Sequence, residues 1–385
     1  MSIVIETKLL KKALTLAKKG IAKQSTLPVL KMVRLQVVDD KLEITATNLD
    51  LAIQIKIADV SIYGYWSPIC INPDDLLSAI KAPVARFVEL NERDILLSIT
   101  SDNSRRAIAA LTGNEFPNVT FDDFNQVHGF NSVDLSIITK QIAVAAATDY
   151  TRPTLTGVYL APDGDDLTVT ATDGFRLHTT IRPGTVMQQH GGIVVPASFW
   201  TLAYAAFRGY PDILDAGIRS SDGKPFRYAI WQNIPDYGDL EIAVMAQLVD
   251  GKFPDYAPII PTSCKVSMAV DGPALAVALT AGLALRSSKK VSPVAVFDFY
   301  PIYLDLTCRA DSAKDAAVRG DIIPARLLDG QDGGEFTVNT AFALDAVRNW
   351  AGDVVVEWTS RNEPIVFRTG NIVKIIMPLN INNRR

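Results

Sequence analysis

Histidine, cysteine and unbroken apolar stretches are what this chain has least of, and each scarcity removes a class of function. Among 385 residues there are three cysteines and three histidines. Cys70, Cys264 and Cys308 are far apart and odd in number, so neither a disulfide framework nor a zinc cluster is expected, and each reads as a small buried hydrophobe. His128, His178 and His190 stand at no spacing used for metal binding or a nucleophile triad. A P-loop is missing too: the span Gly217 to Gly223 before Lys224 is one residue too long, and Pro225 stands where Ser or Thr would hold magnesium. GxSxG, HExxH and GxGxxG are absent. No apolar run approaches the roughly 20 residues needed to span a membrane, and the N-terminus "MSIVIETKLLKK" lacks the order of a signal peptide. A cytoplasmic protein with no metal or other cofactor and no enzymatic chemistry is expected.

Bulk positive charge is also lacking. The net charge of -4 argues against a protein that grips nucleic acid by overall electrostatics. The charge is segregated, however. Residues 1–38 carry eight basic groups (Lys8, Lys11, Lys12, Lys18, Lys19, Lys23, Lys31 and Arg34) and a single acid, Glu6. On a helix drawn at about 100° per residue, the first six lysines fall within an arc of roughly 140°, with Leu9, Leu10, Ala13, Leu14, Leu16, Ala17 and Ile21 opposite. A solvated face ordinarily mixes Glu with Lys for i,i+4 pairing. This one holds no acid, which points to a polyanion nearby.

What the chain has in abundance is repetition. "LPVLKMVRLQVVDDKLEITATNLDLAI" from Leu27 aligns with "RPTLTGVYLAPDGDDLTVTATDGFRLH" from Arg152 at an offset of 125, and "SPVAVFDFYPIYLDLTCRAD" from Ser292 is a weaker third copy. Alternation in "LEITAT" and "LTVTAT" has the period of two of half-buried strands, and "VDD" and "PDGDD" have hairpin chemistry. Helical patterns rich in Ala and other apolar residues bracket each copy: "TKLLKKALTLAKKGIA", "SIITKQIAVAAATD" and "GPALAVALTAGLALRSS" before, "NPDDLLSAIKA", "PASFWTLAYAAFR" and "NTAFALDAVRNWA" after. Three α+β repeats of two helices apiece account for the chain, with bounds at 1–127, 128–261 and 262–385.

The carboxylates Asp163, Asp165, Asp166 and Asp173 are the only cluster that invites an acid–base reading. The first three sit in a hairpin turn, where Asp is expected on backbone grounds. The fourth has Asn48 at its place in the first repeat, so Asp173 reads as a shaper of the strand end rather than a catalyst.

With the triple repeat, the basic helix and the strings "TLPVL", "FPN", "ATDGFRL", "LVDGKFPDY" and "IIMPL" in view, the chain resembles the bacterial sliding clamp family, the DNA polymerase III beta subunits, from end to end. The resemblance implies three clamp domains, each with antiparallel sheets outside and two helices inside, in a head-to-tail homodimeric ring around duplex DNA held without sequence preference. It implies partners that dock by a short peptide: the DNA polymerase III catalytic subunit, the clamp loader and other proteins with clamp-binding motifs. Carried over by position, one part of the docking pocket uses Leu155, Thr172, Gly174, Phe175, Arg176, Leu177, Pro254 and Ile259. The other uses Phe342, Ile375, Met377, Pro378 and Leu379. The DNA side takes Lys8, Lys11, Lys12, Lys18, Lys19, Lys23, Gln24 and Arg152, and the dimer interface takes Arg106, Ile108 and Leu285.

The chain departs from the family pattern at several places. Phe175 stands where His is common, Pro258 and Asn380 where basic or polar residues are common, and Gln24 where Arg is. Arg106 replaces an apolar residue, and "NINNRR" replaces the usual "MPxRL" ending. These departures leave a second reading open, a clamp-like peptide-binding scaffold of a phage or mobile element that is poorly loaded on DNA.

Overall fold

A computed structural model describes residues 2–81, 85–93, 95–102, 104–184, 187, 191–210, 214–222, 224–234, 239–285, 292–310, 318–330 and 334–379. His190 and Asn380 therefore lie outside the described residues, as does the side chain of His128. By internal contacts the chain forms two compact units, residues 1–135 with 198–248, and residues 136–197 with 249–385.

The first unit holds two antiparallel sheets. One has five strands, in the order Val60–Tyr63, Ser2–Glu6, Phe87–Arg93, Leu96–Ser101, Ser104–Ala109. The other has nine, in the order Leu111–Thr112, Ile69–Ile71, Val33–Val38, Lys41–Thr47, Leu51–Ile57, Leu240–Gln247, Lys224–Ile234, Leu214–Ser221, Asn125–Phe130. The "VDD" hairpin closes as Val38 paired to Lys41, and Asp39 and Asp40 both take positive φ (49° and 58°), the backbone a two-residue reversal requires. The helix Thr7–Ala17 lies on strands Lys41–Thr47 and Leu51–Ile57 and buries Leu9, Leu10, Ala13, Leu14 and Ala17. Each leucine so buried contributes about 1.5–3 kcal/mol, which fixes the lysine face outward. Helix Pro73–Ala79 is started by Asn72, whose Oδ1 accepts from Asp74 N at 2.8 Å.

The second unit is built on a twelve-stranded order: Ile193–Pro196, Gly157–Asp163, Asp166–Thr172, Arg176–Arg182, Ile372–Ile376, Ile365–Thr369, Asp353–Trp358, Val266–Asp271, Val318–Asp329, Tyr303–Arg309, Val294–Tyr300, Gly334–Asn339. Helices Gly272–Leu283 and Thr340–Val347 pack on each other over an aromatic core. In that core Phe297 stacks on Phe336 at 5.2 Å and Phe299 on Trp358 at 4.6 Å. Gly282 lets helix Gly272–Leu283 lie close on strand Tyr303–Arg309, because a Cβ there would lie 2.3 Å from the Cys308 sulfur.

Two expectations need correction. The pattern "SIITKQIAVAAATD" is not a regular helix: an α-helix Ser132–Ile137 gives way to a π-turn, Ile138–Ile142, and then a 3-10 turn, Ala143–Ala145. The reason lies in side chains that claim its carbonyls, described below. Of the cysteines, Cys70 and Cys308 are buried but Cys264 is only half-buried.

Candidate functional site

The turn at "TATDGFR" is a set of side-chain-to-backbone bonds. Asp173 Oδ1 accepts from the N–H groups of Phe175 (2.9 Å) and Arg176 (3.0 Å), while Thr172 Oγ1 donates to Arg176 O (2.6 Å) and accepts from Gly174 N (3.0 Å). The first repeat builds the same turn atom for atom. Asn48 Oδ1 accepts from Asp50 N (3.1 Å) and Leu51 N (2.7 Å), and Thr47 Oγ1 donates to Leu51 O (2.7 Å) and accepts from Leu49 N (3.0 Å). An amide and a carboxylate serve equally because only one oxygen acceptor is needed. Asp173 is thus engaged in structure, as the Asn48 copy implied.

The next bond in each copy separates them. Met377 N donates to Phe175 O at 2.9 Å, and Gln247 N donates to Asp50 O at 2.8 Å, so the two pairs occupy equivalent places on adjacent strands. One pair is polar and the other apolar. Beside the apolar pair lies a hollow of about 490 Å³, lined by Thr172, Gly174, Phe175, Arg176, Leu177, Pro258, Ile259, Pro261, Thr359, Glu363, Pro364, Ile375 and Met377. Leu177 and Ile375 pair in register and form its buried floor with Val366 beneath. Phe175, 62% exposed, and Met377, 39% exposed, are large apolar side chains with one face uncovered.

Eight of the thirteen pocket residues expected from sequence line this hollow. Leu155 does not, being buried with Val194 and Phe253, and Pro254 is exposed outside it. Phe342 lies under the Arg176 guanidinium, 4.4 Å from ring centroid to Cζ. Pro378 and Leu379 continue past Met377, where Leu379 N donates to Thr337 O at 2.7 Å. Sequence reasoning missed Pro261, Thr359, Glu363 and Pro364 and noted Pro258 only as a departure. A signal for Pro364 was present in "FRTGNIVK": the Gly370–Asn371 turn sets Ile365 opposite Ile376, which carries Pro364 beside Met377.

Arg176 is held on every side. Its guanidinium donates to Asp173 Oδ2 (3.0 Å), Asp345 Oδ2 (2.7 Å) and Val144 O (2.6 Å). Behind it, the wholly buried Lys374 donates to Gln141 Oε1 (2.5 Å) and Ala346 O (2.6 Å), and His178 Nδ1 donates to Gln141 O (2.6 Å). Here is the cause of the broken helix. The carbonyls of Gln141 and Val144 are released from a regular ladder by the π- and 3-10 turns and satisfied by His178 and Arg176 instead. Burial pushes the Lys374 amine down to about 7, against a smaller upward pull from Asp345. Burial, reinforced by the nearby Lys374 charge, also drives His178 well below the usual imidazole range, so His178 is neutral.

In the first unit the expected six-lysine helix is shorter than the pattern implied: the α-helix ends at Ala17, Lys18 and Lys19 lie in a 3-10 turn, and Ile21, Lys23 and Gln24 lie beyond it, with Lys8, Lys18, Lys19, Lys23 and Gln24 exposed and Lys11 and Lys12 half-buried. Lys12 Nζ sits 4.8 Å from the Tyr210 ring centroid, and Lys18 pairs with Asp74. Lys11, Lys12 and Arg208 line a cleft of about 420 Å³ that, among the described residues, has no acidic side chain in its wall. Arg152, in the other unit, is exposed and donates to Asp173 O at 3.1 Å. Arg106 lies on the edge strand Ser104–Ala109 and donates to Ser78 O (3.2 Å) and Ala79 O (3.1 Å) at the end of helix Pro73–Ala79. Ile108 shares that strand, and Leu285, just past helix Gly272–Leu283, is partly buried against the aromatic core.

Comparison with known proteins bears directly on this arrangement. The family described as DNA polymerase III beta subunit, N-terminal domain, matches residues 1–120, and its central domain matches residues 131–206. A beta sliding clamp of Synechocystis is 24% identical over 404 aligned positions spanning all of both chains. The crystal structure of the DNA polymerase sliding clamp from Bacillus subtilis superposes with a TM-score of 0.85 at 19% identity, over 99% of each chain. The sliding clamp from Bartonella birtlesii bound to griselimycin does so with a TM-score of 0.85 at 19% identity, over 99% of this chain and 100% of that one. With two successive domains matched and the fold shared along the whole chain, the protein belongs to the DNA polymerase III beta subunit family.

Proposed function

We propose that the protein works as a DNA sliding clamp, a processivity factor that encircles duplex DNA as a head-to-tail homodimer and tethers its partners by a short peptide. Those partners are the DNA polymerase III catalytic subunit, the clamp loader and other proteins bearing clamp-binding motifs. The reading divides the chain at 1–127, 128–261 and 262–385, places it in the cytoplasm and gives it no catalytic step.

The observation that carries it is an incomplete repetition of strand pairings. The third hairpin strand of the first repeat, Leu51–Ile57, pairs with the last strand of the second, Leu240–Gln247. The third strand of the second repeat, Arg176–Arg182, pairs with the last strand of the third, Ile372–Ile376. One pairing of this kind is left over. Its two halves are the edge strand Ser104–Ala109 and residues 318–323, which among the described residues pair on one side only. A second copy of the chain supplies each missing partner, and the exchange closes because the two contacts are related by a twofold. Ile108 and Arg106 lie on the first edge, and exposed Val318 and Ile322 on the second.

Ring closure reconciles the acidic chain with a DNA partner. A topological link needs no tight grip on phosphate, while Lys8, Lys11, Lys12, Lys18, Lys19, Lys23, Gln24 and Arg152 lower the cost of threading a polyanion. The 490 Å³ hollow at Phe175 and Met377 is the docking pocket, apolar enough to bury Leu or Phe anchors. Light scattering at micromolar concentration tests the assembly: twice the 41.9 kDa chain mass is expected, and a protein that runs only as a monomer overturns the ring.

A further inference from the structure

The charge in the docking pocket is lopsided in a way that bears on which peptides it accepts. Among the described residues two charged side chains line it, Arg176 and Glu363. Arg176 directs three of its five N–H donors to Asp173, Asp345 and Val144 O and is stacked on Phe342, and two carboxylates already balance its charge, so it offers a peptide carboxylate little net attraction. Glu363 is exposed, in the turn closed by its N–H to Ser360 O (3.3 Å), and among the described residues no basic group lies within 4 Å of its carboxylate. The nearby cations are directed elsewhere: Arg361 to Glu335 (3.7 Å) and Arg368 to Glu357 (2.7 Å).

Position sharpens the point. Strands Arg176–Arg182, Ile372–Ile376 and Ile365–Thr369 are neighbours, and Phe175, Met377 and Pro364 stand at their ends in that order. At about 4.8 Å per strand, Glu363 lies roughly 10 Å across from Phe175, the length of about three residues of extended peptide. The Gly174 end is flanked by the Arg152 guanidinium, since a Cβ on Gly174 would lie 2.9 Å from it.

Resting on the pocket reading above, we propose that Glu363 sets peptide specificity, favouring a docking peptide that carries Lys or Arg about three residues from the apolar anchor seated against Phe175. Among the described residues, an acidic residue at that place meets an unpaired carboxylate and no free cation. Because Glu363 is exposed and screened, the preference is modest, roughly two- to five-fold in affinity.

Fluorescence anisotropy on the full chain tests it, using labelled peptides with a Leu-Phe anchor and Lys, Gln or Glu three residues away on either side. The wild type is expected to rank Lys above Gln above Glu on one side of the anchor, Glu363→Gln to flatten the ranking, and Glu363→Lys to invert it. The ranking is also expected to shrink in 0.5 M salt. An unchanged ranking in Glu363→Lys, or equal binding of all peptides to the wild type, overturns the role of Glu363 while leaving the pocket. Failure of every peptide to bind overturns the pocket reading and this inference together.

Discussion

The turns at Asn48 and Asp173 share four hydrogen bonds and a neighbouring strand, yet only the second carries the large apolar rim pair Phe175 and Met377. Around Asn48 a different hollow, about 580 Å³, opens toward helix Ala197–Phe207, walled by Lys19, Lys23, Gln24, Asp50, Ser198 and Thr201 together with Ile21, Ala22, Leu51, Leu202 and Ala205. Around Asp173 the rim residues are Phe175 and Met377 in place of Asp50 and Gln247, and Arg176 stands where Leu51 is buried. The backbone turn is therefore scaffolding held in common. What it presents is decided by two or three side chains at its rim, one set suited to a polar surface and the other to an apolar anchor. The corresponding positions of the third repeat, 311–317, lie outside the described residues.

The comparison can be broken most forcefully by rewriting one rim as the other. Phe175→Asp combined with Met377→Gln is expected to weaken docking of a Leu-Phe peptide by at least tenfold in an anisotropy titration, since burying one such side chain is worth about 1.5–3 kcal/mol. The dimer, measured by light scattering, stays intact. Next in size is removal of the turn acceptor. Asp173→Ala is expected to cost about 2–3 kcal/mol in chemical denaturation, because it also strips Arg176 of a carboxylate, against about 1 kcal/mol for Asn48→Ala. Asp173→Asn, which copies the first repeat, keeps both N–H bonds and is expected to fall between wild type and Ala. Equal costs for the two alanines would erase the distinction.

Smaller effects of opposite sign are expected at the left-handed position. Gly174 has φ of 90° and Leu49 φ of 81°, so a side chain is strained at both, and Leu49 is 57% exposed. Gly174→Ala destabilises by about 1–2 kcal/mol, with its methyl forced against Arg152, whereas Leu49→Gly changes stability by less than about 1 kcal/mol and toward stabilisation.

Lys374 gives the pH-dependent test. Its amine is held near 7 in the folded chain and near 10.5 when unfolded, so the folded state binds fewer protons between those values and stability is lost as pH falls from about 10 toward 7. His178, neutral in the fold, adds a further loss below the ordinary imidazole range. Denaturation of Lys374→Met is expected to show a shallower rise between pH 7 and 9 than wild type, with Arg176, Asp345 and His178 unchanged as its charged and titratable neighbours. A parallel slope contradicts the assignment.

Much of this was legible in the sequence because the repeat is written in residues that carry backbone instructions. Asp39 and Asp40, Gly164 and Gly370 mark hairpins, and Asn72, Asp271 and Asn339 cap helices by accepting from backbone N–H groups. The pocket was legible where it lies on one strand end, from Thr172 to Leu177, or in the string that pairs with it, Ile375 and Met377. Thr359 and Glu363 were not, since they reach the pocket only through strand order across the sheet, which no local spacing encodes; Pro261 lies two residues past Ile259 in the same loop. The broken helix at Ile138–Ile142 was hidden for the same kind of reason. Its run of Ala and other apolar residues reads as helix, and the distant His178, Arg176 and Lys374 claim its polar groups.

The account stands on the topological link to DNA. With a clamp loader and ATP supplied, the protein is expected to remain on nicked circular duplex through gel filtration and to be lost when the same circle is cut to a linear form. Equal retention on both forms, or none on the circle while the chain is dimeric, would contradict it.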